Sequence, residues 1–132
     1  MSSELTKNTN CYVCGEKNSA GLRAVFQFDA VDRSIRGTFT PRQEHEGWTG
    51  IVHGGVISAL LDEAMVKVAA HLGMAAMSAE MTVKFKAPLR PGEEIVVRSR
   101  IVETRNRLVV AEATVERGPV IIAQATGKML KM

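Results

Sequence analysis

The chain has 132 residues, of which 45% are hydrophobic, 23% charged and 5% aromatic, with two cysteines. That length is about one domain; the aliphatic content excludes disorder, and two cysteines are too few for a disulfide scaffold. The formal charge is +3 but unevenly spread: residues 1–66 carry 6 basic against 8 acidic side chains, and residues 67–132 carry 11 against 6.

A basic second half suits an anionic ligand such as a nucleotide or coenzyme phosphate, although solvated strand faces would carry the same charge. One Trp, one Tyr and no aromatic platform motif make a poor case for nucleic acid. No apolar run reaches the ~20 residues that cross a bilayer, and the polar start MSSELTKNTN lacks the apolar stretch of a secretory signal. The expectation is a cytoplasmic protein with both thiols free and no membrane partner.

Residues 1–20 read as an irregular leader, with turn chemistry at Cys14-Gly15 and Asn18-Ser19. Within it Cys11 and Cys14 form a C-x-x-C. Zinc needs about four ligands, no second pair follows, and the nearest histidine is His45, while a redox motif would follow a strand and open a helix. Neither context is present, so no metal or cofactor is expected.

Strand-type residues run over Leu22–Asp29 and Ser34–Thr40 around a turn at Asp29–Arg33, a plausible hairpin. The following PRQEHEGWTGIVHGG has no periodicity and reads as a loop. From Gly54 to Leu72 the spacing changes: Val56, Ile57, Leu60, Leu61, Ala64, Met65, Val68, Ala69 and Leu72 recur at three and four, the period of a helix. Gly73 then suits a C-terminal cap. The apolar positions cover most of the circumference, so the helix is expected to be buried.

Four strands are predicted next. Ala79, Met81, Val83, Phe85 and Ala87 alternate with Ser78, Glu80, Thr82, Lys84 and Lys86, and Pro88, Pro91 and Gly92 end the run. Ile95–Val102, Leu108–Val115 and Val120–Met129 follow, with short turns at Glu103–Arg107 and Arg117–Pro119. Two strands, one long helix and four strands suggest an α+β fold, an antiparallel sheet wrapped around a single helix. Ile95–Val97, Leu108–Ala111 and Val120–Ala123 are apolar at successive positions, hence on both strand faces. A helix covers one face only, so a second copy of the chain is expected on the other.

The helix opens with His53-Gly54-Gly55. Backbone N–H groups at a helix start lack intrahelical partners and carry the positive end of the dipole. Glycines leave them open to a ligand carbonyl that becomes an oxyanion. The helix holds three charges. Glu63 and Lys67 stand four apart in the favourable order for a surface pair. Asp62, with Ser58 and Val66 at its own i±4 positions, has no basic partner and must face water, a partner chain or a site. A carboxylate shielded from water is a competent general base. His53 suits an orienting role through a backbone hydrogen bond; His45 and His71 have no companions that suggest more.

These residues resemble a known family. G-I-V-H-G-G-V-I-S-A-L-L-D-E-A-M (Gly50–Met65) is similar to the signature of hotdog-fold acyl-CoA thioesterases of the phenylacetate-pathway (PaaI-like) branch. The leader C-Y-V-C-G-E-K-N-S-A-G-L (Cys11–Leu22) and F-K-A-P-L-R-P-G-E (Phe85–Glu93) resemble segments of that superfamily as well. The resemblance implies one helix wrapped by a sheet, dimers or tetramers, and sites at the dimer interface. It also implies roles: Gly54 as the N–H that polarises the thioester carbonyl, Asp62 as the base or nucleophile, His53 as the shaper of the turn, and Ser78 as the group that positions water. Gly55, Ser58, Lys84 and Arg90 would then line the substrate, with acyl-CoA as the partner.

The sequence departs from the family pattern at Gly47, where many relatives carry Asn or Gln; Glu46 and Gln43 are the nearest replacements. Gly54 and Asp62 are eight residues apart, ~12 Å of helix rise. One carbonyl meets both only if they come from different subunits. The rival is a non-catalytic acyl-CoA or acyl-lipid binding module on the same fold, which has no use for an unpaired acid at the ligand carbonyl. A hydratase would want a His–acid pair at the reacting carbon, and His53 before two glycines fits that poorly.

Overall fold

The computed structural model describes residues 8–132; the first seven residues of the expected leader, and most of the stretch judged against a secretory signal, lie outside the described residues. The elements run in chain order as β1 (Val25–Asp29), β2 (Ser34–Phe39), a 3-10 turn at Gln43–His45, α1 (Gly54–His71), β3 (Ala76–Phe85), β4 (Ile95–Arg105), β5 (Leu108–Arg117) and β6 (Val120–Lys131). The strands form one antiparallel sheet in the order β1-β2-β4-β5-β6-β3, and α1 lies against one face and meets all six strands. This is the expected helix wrapped by a sheet. No helix among the described residues is long and apolar enough to cross a membrane.

Each element stops for a local reason. The β1–β2 turn is closed by Asp29, whose Oδ1 accepts from the N–H groups of Val31 and Asp32 at 2.9 and 3.0 Å. The β4–β5 and β5–β6 turns have two residues each, with Asn106 (φ 55°) and Gly118 (φ 56°) taking the left-handed positions such tight hairpins require. α1 ends in a Schellman motif: Gly73 at φ 85° lets its own N–H reach Ala70 O (3.0 Å) and that of Met74 reach Ala69 O (2.9 Å).

The core lies between helix and sheet. Ile57, Leu60, Leu61, Ala64, Met65, Val68 and Ala69 of α1 are buried. They meet the inward side chains of β4 (Ile95, Val97), β5 (Val109, Ala111, Ala113, Val115) and β6 (Ala123, Ala125, Met129). Alanines and Gly127 leave room for the helix to approach: a Cβ on Gly127 would lie 2.8 Å from the Met65 thioether.

The expected apolar runs do present side chains on both faces: Ile95, Val97, Val109, Ala111 and Ala123 face the helix, and Val96, Leu108, Val110 and Ile121 face outward. Between them cross-strand register puts Arg98, Thr114 and Gln124 in one outward row and Arg100, Glu112 and Thr126 in the next, so the middle of the outer face of β4–β6 is polar. The less covered apolar surface is on the edge strand β3, where Met77 is 52% and Phe85 55% exposed.

Candidate active site

The loop before α1 is held from three sides. His53 N–H donates to His45 O at 2.8 Å, Val52 N–H to Leu89 O at 2.8 Å, and Gly47 N–H to Ile51 O at 2.8 Å. His45 is itself buried: its Nδ1 accepts from Arg42 N–H at 2.9 Å, and its ring tilts against Phe39. Burial, with the Arg42 charge adding to it, pushes the His45 imidazole below its usual 6.5 and keeps it neutral. Trp48 stands at the loop tip, 85% exposed, and Arg90 Nη1 reaches Gly50 O at 3.5 Å.

The loop delivers His53 as the N-cap of α1. Its extended backbone (φ −62°, ψ 134°) turns the ring back over the first turn, and Nδ1 accepts from Gly55 N–H at 2.7 Å. That bond fixes the protonated nitrogen as Nε2 and satisfies one orphan donor. Gly55 is therefore engaged and Gly54 is the open position: its N–H has no acceptor among the described residues. A Cβ at Gly54 would touch the Phe85 ring at 3.4 Å, so Phe85 of β3 lies over this end of the helix.

Two turns along α1, Asp62 is half-buried, and its Oδ1 accepts from the Ser78 hydroxyl of β3. The contact exists because of a β-bulge. The ladder from β3 to β6 shifts between Ser78 and Glu80, so Ser78 pairs with Met129 while Met81, Val83 and Phe85 pair with Gly127, Ala125 and Ala123. All four of these β3 residues then face the helix. Strict alternation from the sequence had put Ser78 on the opposite face from Met81. Half of the carboxylate, Oδ2, has no hydrogen-bond partner among the described residues.

The predicted residues thus gather in two groups on one flank of α1: His53, Gly54 and Gly55 at its start, Asp62 with Ser78 further along. Ser58 lies half-buried between them. The helix rise keeps the groups ~12 Å apart, so one chain does not bring them to one point. Of the basic residues in the second half of the chain, Arg90 is beside the loop, whereas Lys84 pairs with Gln124 on the outward face of β3. Arg98, Arg100 and Arg105 are held by Glu116, Asp32 and Glu103. Three clefts, about 410, 270 and 230 Å³, lie elsewhere, and none is lined by Gly54, Asp62 or Ser78. Leu60 and Met65 belong to the core.

Neither expected substitute for the missing Asn or Gln stands free in the same way. Glu46 Oε2 accepts from Gly50 N–H at 2.8 Å and closes the loop, while Gln43 is exposed in the 3-10 turn. Gly47 packs on His53, with a Cβ there 3.2 Å from the imidazole, so a larger residue would press on the N-cap. The Glu63–Lys67 pair read from spacing is not formed; the Cys11 thiol donates to the Glu63 carboxylate instead. Nothing in local sequence links residues 52 apart, which is why that contact was missed.

The chain is similar to an acyl-coenzyme A thioesterase of Xenopus laevis (THEM4), 23% identical over 119 residues. The match takes in 89% of this chain and 54% of that protein, so the chain spans about half the length of this curated relative. Among solved structures, smu.793 of Streptococcus mutans bound to acetyl CoA superposes with a TM-score of 0.76 at 21% identity, covering 83% of this chain and 86% of that one. The PaaI protein of the E. coli phenylacetic acid degradation operon gives 0.72 at 19%, covering 76% and 73%. A further thioesterase superfamily protein gives 0.88 at 23%, covering 93% of this chain and 61% of that one. The family model for the thioesterase superfamily matches residues 49–122, the stretch that carries the end of the loop and α1, β3, β4 and β5 whole. With more than half its length matched and its helix wrapped by an antiparallel sheet, the chain belongs to the thioesterase superfamily and has the hotdog fold.

Proposed function

We propose that the chain hydrolyses an acyl-CoA thioester to the free acid and CoA, at sites formed between two copies. The observation that carries this is the pairing of an open helix-start N–H at Gly54 with a half-free carboxylate at Asp62, both on the same flank of α1. The thioester carbonyl oxygen accepts from Gly54 N–H, which holds the charge that develops on it; such a donor contributes about 3–4 kcal/mol to lowering the barrier. Asp62 of the other copy takes a proton from water through Oδ2, and the water oxygen attacks the carbonyl carbon. Collapse of the intermediate breaks the C–S bond, and the CoA sulfur leaves with the proton. Direct attack by Asp62 through an anhydride uses the same geometry.

Ser78 fixes one carboxylate oxygen, which orients the other and the water it activates. His53 keeps Gly55 occupied, so that the carbonyl docks at Gly54. Ser58 and Phe85 border the acyl path. Arg90, beside the exposed loop tip, is the best supported candidate for a CoA phosphate, and Lys84 serves only if the partner copy brings a phosphate to the outer side of β3. A cytoplasmic setting, in which both free thiols stay reduced, completes the proposal.

The test is thiol release from short, long and aromatic acyl-CoAs by wild type and Asp62→Asn. Loss of a general base is expected to cost about 10²–10⁴-fold in kcat, with Tm close to wild type. Near-normal kcat in the variant would refute the assignment. Binding of CoA esters without release of thiol from any of them would move the function to an acyl-CoA or acyl-lipid binding module.

A further inference from the structure

The C-x-x-C of the leader has no part in the chemistry above, and from sequence it lacked further ligands. The fold supplies one. Glu63 projects from α1 towards the leader, and Cys11 Sγ lies 3.6 and 3.7 Å from its two carboxylate oxygens. The ligand atoms of Cys11, Cys14 and Glu63 all lie within 4.8 Å of one another. A tetrahedral ion with metal–sulfur bonds of about 2.3 Å and metal–oxygen bonds of about 2.1 Å spaces its ligands by about 3.5–3.8 Å. The Cys11–Glu63 edge already has that length.

The turn that holds the two sulfurs is built tightly. Gly15 N–H closes it on Cys11 O at 2.9 Å, and a Cβ at Gly15 would lie 2.3–2.5 Å from backbone atoms of Cys11 and Thr9, so only glycine fits there. The turn is anchored to the strand side by Leu22 N–H to Tyr12 O and Ala24 N–H to Val13 O, both 2.8 Å, with Val13, Leu22 and Ala24 buried. His45, the ligand weighed from sequence, is excluded: its Nδ1 is occupied by Arg42 N–H and its Nε2 faces the Arg42 guanidinium at 3.3 Å.

Charge favours a cation at this point. Lys67 stands one turn along α1 from Glu63. Two thiolates and one carboxylate around a divalent ion leave a net −1, which Lys67 offsets.

The geometry points to a binding site for one thiophilic divalent cation of the zinc type, held by Cys11, Cys14 and Glu63 with solvent at the fourth position, that clamps the leader to α1. Loading forms two metal–sulfur bonds and one metal–oxygen bond and releases the two thiol protons to solvent. Because Glu63 adjoins Asp62 in the helix, the clamp fixes the backbone beside the proposed base without touching substrate.

The test uses the full chain, reduced, stripped with chelator and titrated with Co²⁺ as the probe, followed by displacement with Zn²⁺. The expected result is a thiolate-to-cobalt charge-transfer band saturating at one metal per chain, protection of both cysteines from alkylation, and a Tm raised by metal. Cys11→Ser, Cys14→Ser and Glu63→Gln should each weaken binding by more than the ~10–100-fold that follows loss of an outer-shell partner. Absence of the band in the reduced wild type, binding unaffected by all three substitutions, or a Cys11–Cys14 disulfide in place of metal would each overturn the site. None of these readouts depends on thioester hydrolysis, so the two proposals stand or fall separately.

Discussion

His45 is neutral in the folded chain because it is buried and lies beside Arg42, and its Nδ1 lone pair holds the backbone just before the loop. Unfolding restores its ordinary affinity for protons, so the unfolded state binds more protons below about pH 6.5. Stability is therefore full above that pH and is lost as pH falls through the lowered folded value. Thermal melts from pH 7.5 to 5 are expected to show Tm dropping on acidification, with a shallower slope in His45→Gln, which accepts from Arg42 without titrating; parallel slopes would contradict the role. Ser78 makes a second case. Ser78→Ala removes the hydroxyl that holds Asp62, and kcat is expected to fall by about 10–100-fold, with less change in KM than in kcat. A residue's type and spacing pointed to Asp62 and Gly54, because an unpaired acid and a helix-start glycine are local facts. The partnership of Ser78 with Asp62 was not legible in the same way. It depends on one extra residue at Ala79, and hydrophobic alternation alone gives no sign of where a ladder slips.

The start of α1 can be probed as an element. Gly54 is the first helical residue, the position where proline is tolerated, and His53 already has the extended backbone that a following proline demands. Gly54→Pro thus removes one N–H and leaves the helix in place. The expected outcome is a loss of about 10²–10³-fold in kcat with little change in Tm; retention of kcat would take the oxyanion role from Gly54. The helix itself was legible from end to end, from the period of its apolar residues and from Gly73, and all four later strands were found where β-branched runs are cut by turns. Their lengths were under-read at the ends, since Thr104, Arg105, Glu116, Arg117 and Lys131 continue the ladders with polar side chains that pattern reading assigns to turns. The apolar runs on β4–β6 do turn Val96, Leu108, Val110 and Ile121 outward, but the rows between them carry Arg98, Arg100, Glu112 and Thr126, which the runs alone do not show.

At the scale of the whole molecule, the edge strand β3 extends the apolar surface of the outer sheet face, with Met77 beside Leu130 and Leu108, as the surface where a second copy is expected. It carries Ser78 inward, leaves Met77 and Phe85 half-exposed, and has a free edge of backbone donors and acceptors. Light scattering is expected to return a dimer or a multiple of it, and Met77→Lys should shift the population towards single chains with a matching fall in kcat. An active monomer would contradict a shared site. The sheet order also has a temporal consequence. β3 is made directly after α1, yet among the described residues its only strand partner is β6, and Ser78 sits opposite Met129. While a chain is emerging from the ribosome, β3 must wait for its strand partner until β6, which begins at Val120, has appeared. The Asp62–Ser78 contact is thus among the last features synthesis allows, and a chain cut after Arg117 keeps every proposed catalytic side chain but has no strand to hold one of them.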